Sequence, residues 1–193
     1  KDPSVFWKAS GTSATPEQKI CFICFFVDDA LVAFDDEDFF DQIYKEMSGR
    51  WTVKCENAQK FLGMTITQED DGSIQIDNRA TIDKMLKEFE WDTIGATKDV
   101  PIPPGFEPDN ETVPLDPSFP QHKFLGFISY LASTTRVDLK APLNRLARYI
   151  NKWNIACTKA CRHLARYIKK TRDLGLRYHA DDGLINKAIG FSD

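Results

Sequence analysis

Apolar residues fill Cys21-Phe22-Ile23-Cys24-Phe25-Phe26-Val27 and Ala30-Leu31-Val32-Ala33-Phe34, and only Asp28 and Asp29 stand between the two runs. Runs of this length, without helical spacing, predict two strands. The simplest geometry joins them as a tight hairpin bent at the two carboxylates. Val5-Phe6-Trp7 predicts a short strand before it. Asp35 and Asp36 are placed to cap a helix starting near Glu37. Phe39, Phe40, Ile43, Tyr44 and Met47 share a face of that helix, and Gly49 is placed to end it. Trp51, Val53 and Cys55 alternate like a strand. Lys60 to Gln68, with Phe61-Leu62-Gly63-Met64-Thr65-Ile66, predicts a stronger strand, which the turn Asp70-Asp71-Gly72 returns through Ser73-Ile74-Gln75-Ile76. Asp77 or Asn78 then caps a helix with the stripe Ile82, Met85, Leu86 and Phe89, running to about Glu90.

The periodicity lapses between Pro101 and Pro120, which hold seven of the ten prolines. That composition predicts an extended linker. Helical spacing resumes over Gln121 to Ser133, Lys140 to Lys152 (Pro142 is tolerated in a first turn) and Lys159 to Thr171. Leu174 to Tyr178 and Ala188 to Phe191 are short candidate strands. The expected class is therefore α+β: an antiparallel sheet with packed helices over 1–100, a proline-rich linker over 101–120, a helical region over 121–178 and a short tail over 179–193.

Composition changes little in this picture, and charge changes more. The 193 residues are 42% hydrophobic and 28% charged, ordinary for a globular protein. No apolar run reaches the roughly 20 residues of a membrane span, and no secretion signal opens the chain. An intracellular setting and no membrane partner are expected. Five cysteines, an odd number, do not suggest a disulfide framework. Cys21 with Cys24 and Cys157 with Cys161 could form a zinc site, but residues three apart on a strand face opposite ways, so buried thiols are the better expectation. The net charge of −4 hides a strong asymmetry. Residues 1–138 carry 25 acidic and 13 basic side chains, whereas residues 139–172 carry ten basic and no acidic ones. An acidic body with one basic segment points to a polyanion met by the later helices.

Asp28-Asp29 allows two readings. Asp is common in turns because its side chain bonds nearby backbone N–H groups. Adjacent carboxylates also repel, and a hard divalent cation with oxygen ligands relieves that repulsion. Residue types alone leave both open. No phosphate-cradling glycine loop is present.

Four ordered segments carry a resemblance. Phe26-Val27-Asp28-Asp29 between apolar strands resembles the Tyr-x-Asp-Asp box of reverse transcriptases. Phe61-Leu62-Gly63 is similar to the primer-grip strand that follows it. Phe124-Leu125-Gly126-Phe127-Ile128-Ser129-Tyr130-Leu131-Ala132, then Thr135-Arg136-Val137-Asp138, resembles the thumb signature of copia-type LTR retrotransposons, and Ala165 to Thr171 with Gly175-Leu176-Arg177-Tyr178 continues it. Gly190-Phe191-Ser192-Asp193 resembles the entry to an RNase H region.

The resemblance implies a partial polymerase palm followed by a helical thumb, and RNA-directed DNA polymerase activity of a retrotransposon polyprotein. Asp28 would be the firmer ligand of Mg²⁺ (or Mn²⁺) and Asp29 the accessory one, in two-metal nucleotidyl transfer. Phe26, Val27, Phe61, Leu62 and Gly63 would contact the nucleotide or primer. Arg145, Arg148, Lys152, Lys159, Arg162, Arg166, Lys169 and Lys170 would follow the nucleic-acid backbone. The implied partners are an RNA or DNA template–primer, a dNTP, and the fingers, first palm strand and RNase H region of the same polyprotein, in a cytoplasmic particle or the nucleus. The family's third carboxylate lies on an earlier strand, and before the hairpin only Asp2 and Glu17 are acidic. A fragment inactive by itself is therefore expected. Phe26 replaces the family's tyrosine and Val137 its proline, which bears on substrate contacts and on that turn. Two other readings stand beside this one: an inactive or repurposed retroelement remnant that binds nucleic acid, and an unrelated metal-dependent hydrolase.

Overall fold

The computed structural model describes residues 3–10, 18–108 and 113–179. They form two compact units, residues 1–61 and 62–193, each an α+β arrangement with an antiparallel sheet. The expected strand at Ala188 to Phe191 and the RNase H-like Gly190 to Asp193 lie outside the described residues.

The first unit is built on the sheet β1 (Val5–Ala9), β2 (Ile20–Phe26) and β3 (Asp29–Phe34), in that order. The ladder sets Trp7 opposite Phe22, Ile23 opposite Val32 and Phe26 opposite Asp29. Because side chains alternate across a strand, Cys21, Ile23 and Val32 share one face. They pack there on Phe39, Phe40, Ile43 and Met47 of α1 (Glu37–Ser48). Lys8 reaches the same helix, 3.2 Å from Glu46, and Phe34 stacks on Phe40 at 4.5 Å. The other face exposes Val5, Trp7, Phe22 and Phe26.

Asp36 caps α1 as expected, its Oδ1 accepting from the Phe39 N–H at 2.8 Å. Lys19 and that Phe39 N–H both hold the Asp36 carboxyl below the usual carboxylate range. Gly49 ends the helix in a right-handed conformation, φ −69°, so its freedom to turn left-handed goes unused. Trp51 to Cys55 forms no strand. The Tyr44 hydroxyl donates to the Val53 carbonyl at 3.2 Å, tying the segment to α1, and alternation without a neighbouring strand does not make a ladder. Trp51 is exposed. The unit closes on β4 (Lys60–Phe61).

The expected single strand from Lys60 to Gln68 is broken. Leu62 (φ 52°) and Gly63 (φ 79°) turn left-handed before β5 (Met64–Gln68) begins. β5 pairs with β6 (Ile74–Asp77), and β6 pairs with β7 (Leu176–Tyr178). α2 (Arg79–Glu88), α3 (Gln121–Thr134), α4 (Lys140–Ala147) and α5 (Ile155–Lys170) supply the rest of the second unit. Its core gathers Ile82, Met85 and Leu86 of α2, Phe124, Ile128 and Leu131 of α3, and Cys161, Leu164 and Ile168 of α5. The predicted helix over Lys140 to Lys152 stops at Ala147 and resumes as one 3₁₀ turn, Ile150–Lys152. α5 starts four residues earlier than predicted, because the Asn154 side chain caps it, accepting from the Cys157 N–H at 3.0 Å. Cys157 and Cys161 are free buried thiols, and burial pushes both up from the ordinary thiol range.

The proline-rich segment packs closely on this unit. Phe119 is buried between Trp91, Trp153 and Phe124. Leu115 bridges Asn154, and the Asp116 carboxylate accepts from Ser118 at 2.7 Å and Thr158 at 2.8 Å. Apolar residues set between prolines thus supply core here, while prolines signal only the absence of regular ladders. No helix among the described residues is long and apolar enough to cross a membrane.

Candidate functional site: the Asp28–Asp29 hairpin and the Leu62–Gly63 turn

The bend between β2 and β3 consists of two residues, Val27 and Asp28, closed by the pair Phe26 and Asp29. Val27 adopts φ 53° while Asp28 stays out of the positive region. That sign pattern is the type II′ hairpin turn, which favours glycine at its first position. A β-branched side chain placed there stores strain of roughly 1–3 kcal/mol. Nothing packs Val27 into that conformation, for it is 84% exposed. Strain of this kind concentrates where an active group must be held, and the groups held here are the two carboxylates. Asp29 lies on the uncovered face with Phe26 and Phe22, and Asp28 stands at the tip. Among the described residues neither makes an ion pair or a side-chain hydrogen bond, so both keep their oxygen atoms for a ligand. The donor set, adjacent hard oxygens with no neutralising base, fits Mg²⁺ or Mn²⁺. Among the described residues no group of three potential metal ligands gathers, so two carboxylates are what this part of the chain offers. β3 has β2 as its one neighbour among the described strands.

In the second unit the Leu62–Gly63 turn is held from two helices. The Tyr130 hydroxyl of α3 donates to the Leu62 carbonyl at 2.5 Å, and the Thr81 hydroxyl of α2 to the Gly63 carbonyl at 3.4 Å. A Cβ at Gly63 would stand 3.0 Å from the Tyr130 oxygen, in addition to the left-handed φ. Burial pushes the Tyr130 phenol up, which keeps it a donor. Thr81, Lys123, Gly126, Phe127 and Tyr130 line an open groove of about 340 Å³. Gly126 is its smooth floor, with no atom within 4 Å of where a side chain would start. Lys123 reaches across to Glu88 at 2.5 Å. Sequence patterning missed both the groove and the clamp. One signal for them was available, a glycine inside a strongly apolar helix.

The basic residues divide into two sets. Lys169 donates to the Asp92 carbonyl at 2.5 Å, and Lys170 pairs with Asp99. His163 bonds the Val100 carbonyl at 2.9 Å, so the segment 92–100 lies along the later part of α5. Arg166 has a buried Nε with no partner among the described residues. Arg145, Arg148, Lys152, Lys159 and Arg162, from α4, the 3₁₀ turn and the start of α5, form no ion pair among the described residues.

Comparison with known proteins finds a relative in yeast. The chain is 28% identical over 167 residues to a Saccharomyces cerevisiae protein described as "Putative transposon Ty5-1 protein", across 84% of this chain and 53% of that one. The chain thus spans about half the length of the curated relative it matches. The similarity supports a relation to transposon proteins. No family model matches the sequence, and no solved structure matches it.

Proposed function

We propose that this chain is the palm-hairpin and thumb portion of an RNA-directed DNA polymerase from a copia-type LTR retrotransposon polyprotein. The observation that carries the proposal is the strained Val27–Asp28 bend, which holds Asp28 and Asp29 exposed and unpaired at the end of an antiparallel hairpin. Sequence similarity to a transposon protein supports the same origin.

In this reading Asp28 and Asp29 hold Mg²⁺ or Mn²⁺. Such ions would supply the positive charge that nucleotidyl transfer needs. A third carboxylate, on an earlier strand, would complete the set. The chain's own contribution is position. The two-residue bend fixes both carboxylates relative to the sheet, as transfer between aligned groups requires. Phe26, beside them, offers an aromatic edge without a hydroxyl to the nucleotide or primer end. The Leu62–Gly63 turn, with Phe61 before it, holds the primer strand. Arg145, Arg148, Lys152, Lys159 and Arg162 meet template–primer phosphates electrostatically, without reading sequence, while Lys169 and Lys170 do so after leaving Asp92 and Asp99.

The test is primer extension by the polyprotein segment that contains this chain together with its preceding residues. Asp28→Asn is expected to abolish Mg²⁺-dependent extension while template–primer binding persists. Undiminished extension by that variant removes the assignment. The second reading, a retroelement remnant that binds nucleic acid without polymerising, draws on the absence of a third ligand beside Asp28 and Asp29 among the described residues. It is favoured if the unaltered segment binds a duplex but never extends a primer.

A further inference from the structure

Trp51 is 61% exposed. An exposed ring alone is ordinary, but this one stands on fixed backbone. The Trp51 and Arg50 N–H groups both donate to the Met47 carbonyl, at 2.9 and 3.0 Å, just past the end of α1. Two residues on, the Val53 carbonyl accepts from the Tyr44 hydroxyl at 3.2 Å. Tyr44 is itself held, its ring 6.1 Å from that of Phe40. The loop is thus tied to the helix at both ends, and the indole loses little freedom on meeting a ligand.

Tyr44, Ser48, Arg50, Trp51 and Thr52 line an open cavity of about 580 Å³ beside this loop, within the range of small-molecule sites. The first unit is acidic, with 11 carboxylates against seven basic side chains over residues 1–61. No carboxylate lines this cavity, and Arg50 makes no ion pair among the described residues. The cavity therefore offers one broad π-face, one uncommitted cation and the hydroxyl groups of Ser48 and Thr52. A planar ring that carries an anionic group uses all three. An apolar side chain would leave the guanidinium idle, and a bare anion would leave the indole idle.

We propose that the Arg50–Trp51 loop is a nucleotide site, in which a nucleobase stacks on the Trp51 indole and its phosphate pairs with Arg50. The nucleotide is free or belongs to a single strand. Neither Asp28 nor Asp29 takes part. The site reads a base, whereas the basic helices of the second unit offer phosphate contacts alone.

Two binding experiments on the full chain separate the sources. Fluorescence anisotropy compares a labelled single-stranded deoxyadenylate decamer with an abasic decamer of equal length. Calorimetric titration compares AMP with ribose 5-phosphate. A preference for the base-bearing probe in the first experiment alone assigns a strand, and in the second a free nucleotide. Wherever that preference appears, Trp51→Ala is expected to reduce it about tenfold, with binding of the abasic decamer unchanged. Trp51→Phe, which restores a ring, should keep most of it. Absence of the preference in both experiments, or a preference that Trp51→Ala leaves intact, overturns the proposal. Should Trp51→Ala fail to fold, Arg50→Gln takes its place: weaker binding of the base-bearing probe supports the site, and unchanged binding overturns it.

Discussion

Arg136 and Asp138 meet fork to fork: Nε donates to Oδ1 at 3.0 Å and Nη2 to Oδ2 at 2.8 Å. The guanidinium is 1% exposed, and it also donates to the Thr171 carbonyl at 3.0 Å and the Thr171 hydroxyl at 2.8 Å. Tyr167 adds a bond to Asp138 Oδ2 at 2.9 Å and lies under the guanidinium at 5.7 Å. The Thr-Arg-x-Asp stretch therefore ties the end of α3 to the end of α5.

Breaking that pair is expected to be expensive. Asp138→Asn leaves a buried cation without its counter-charge, and about 3 kcal/mol should be lost, at the lower end for buried pairs because the carboxylate is partly exposed. Burial pushes the Asp138 carboxyl up, but bonds from Arg136 and Tyr167 outweigh it and hold the group below the usual range. A carboxyl depressed in the folded state contributes stability above its unfolded pKa, about 3.9, and loses it as pH falls further. The gap in denaturation midpoint between the original protein and Asp138→Asn should be wide at neutral pH and should narrow progressively as pH falls below about 4.

Val27→Gly relaxes the hairpin tip. Relief of the left-handed side chain is worth roughly 1 kcal/mol, against some added freedom in the unfolded chain. Urea denaturation of the first unit should show unchanged or raised stability. Under the polymerase reading the looser bend should also lower the extension rate. A clear loss of stability would remove strain as the account of Val27.

Two glycines should respond oppositely to alanine. At Gly175 a Cβ would stand 2.3 Å from the Ile76 carbonyl oxygen and 3.0 Å from Asp77 Cβ, so β7 must retreat from β6, at a cost of about 1–3 kcal/mol. At Gly126 a methyl group meets nothing within 4 Å, and a helix interior gains about 1 kcal/mol from Gly→Ala. Thermal melts of both variants check the signs. A more stable Gly126→Ala that binds template–primer less well would show the groove floor in use.

Under the nucleic-acid reading, the two sets of basic residues should differ in salt response. Each phosphate contact contributes about 0.9 to the slope of log affinity against log salt on a duplex. Replacing Lys159 and Arg162 with Gln should flatten the slope by about 2. Lys170→Gln, which first loses Asp99, should flatten it by less. Equal effects would mean that the intramolecular partner is no competitor.

How far sequence reached depended on the range of the controlling contacts. The Asp28 hairpin was legible because its strands pair with each other and both apolar runs lie close together in the chain. The break at Leu62 was not, since Phe61-Leu62-Gly63-Met64 is apolar throughout and the groups that hold the turn come from Thr81 and Tyr130. Burial of Arg136 was equally hidden, because its partners at Tyr167 and Thr171 are distant in sequence and a charged residue reads as surface. At Phe119 the prolines drew attention from the aromatic among them, which became core. The paired carboxylates were found from residue type alone, and their strain only from the backbone.

The four tryptophans are shared evenly between the units. Trp7 and Trp51 in the first are 62% and 61% exposed, whereas Trp153 in the second is 4% exposed and Trp91 sits among Phe89, Phe119 and Phe124. The molecule therefore carries its own optical labels. A red-edge, readily quenched emission belongs to the unit with the carboxylate pair, and a blue-edge, protected emission to the unit with the basic helices, so one spectrum can follow both.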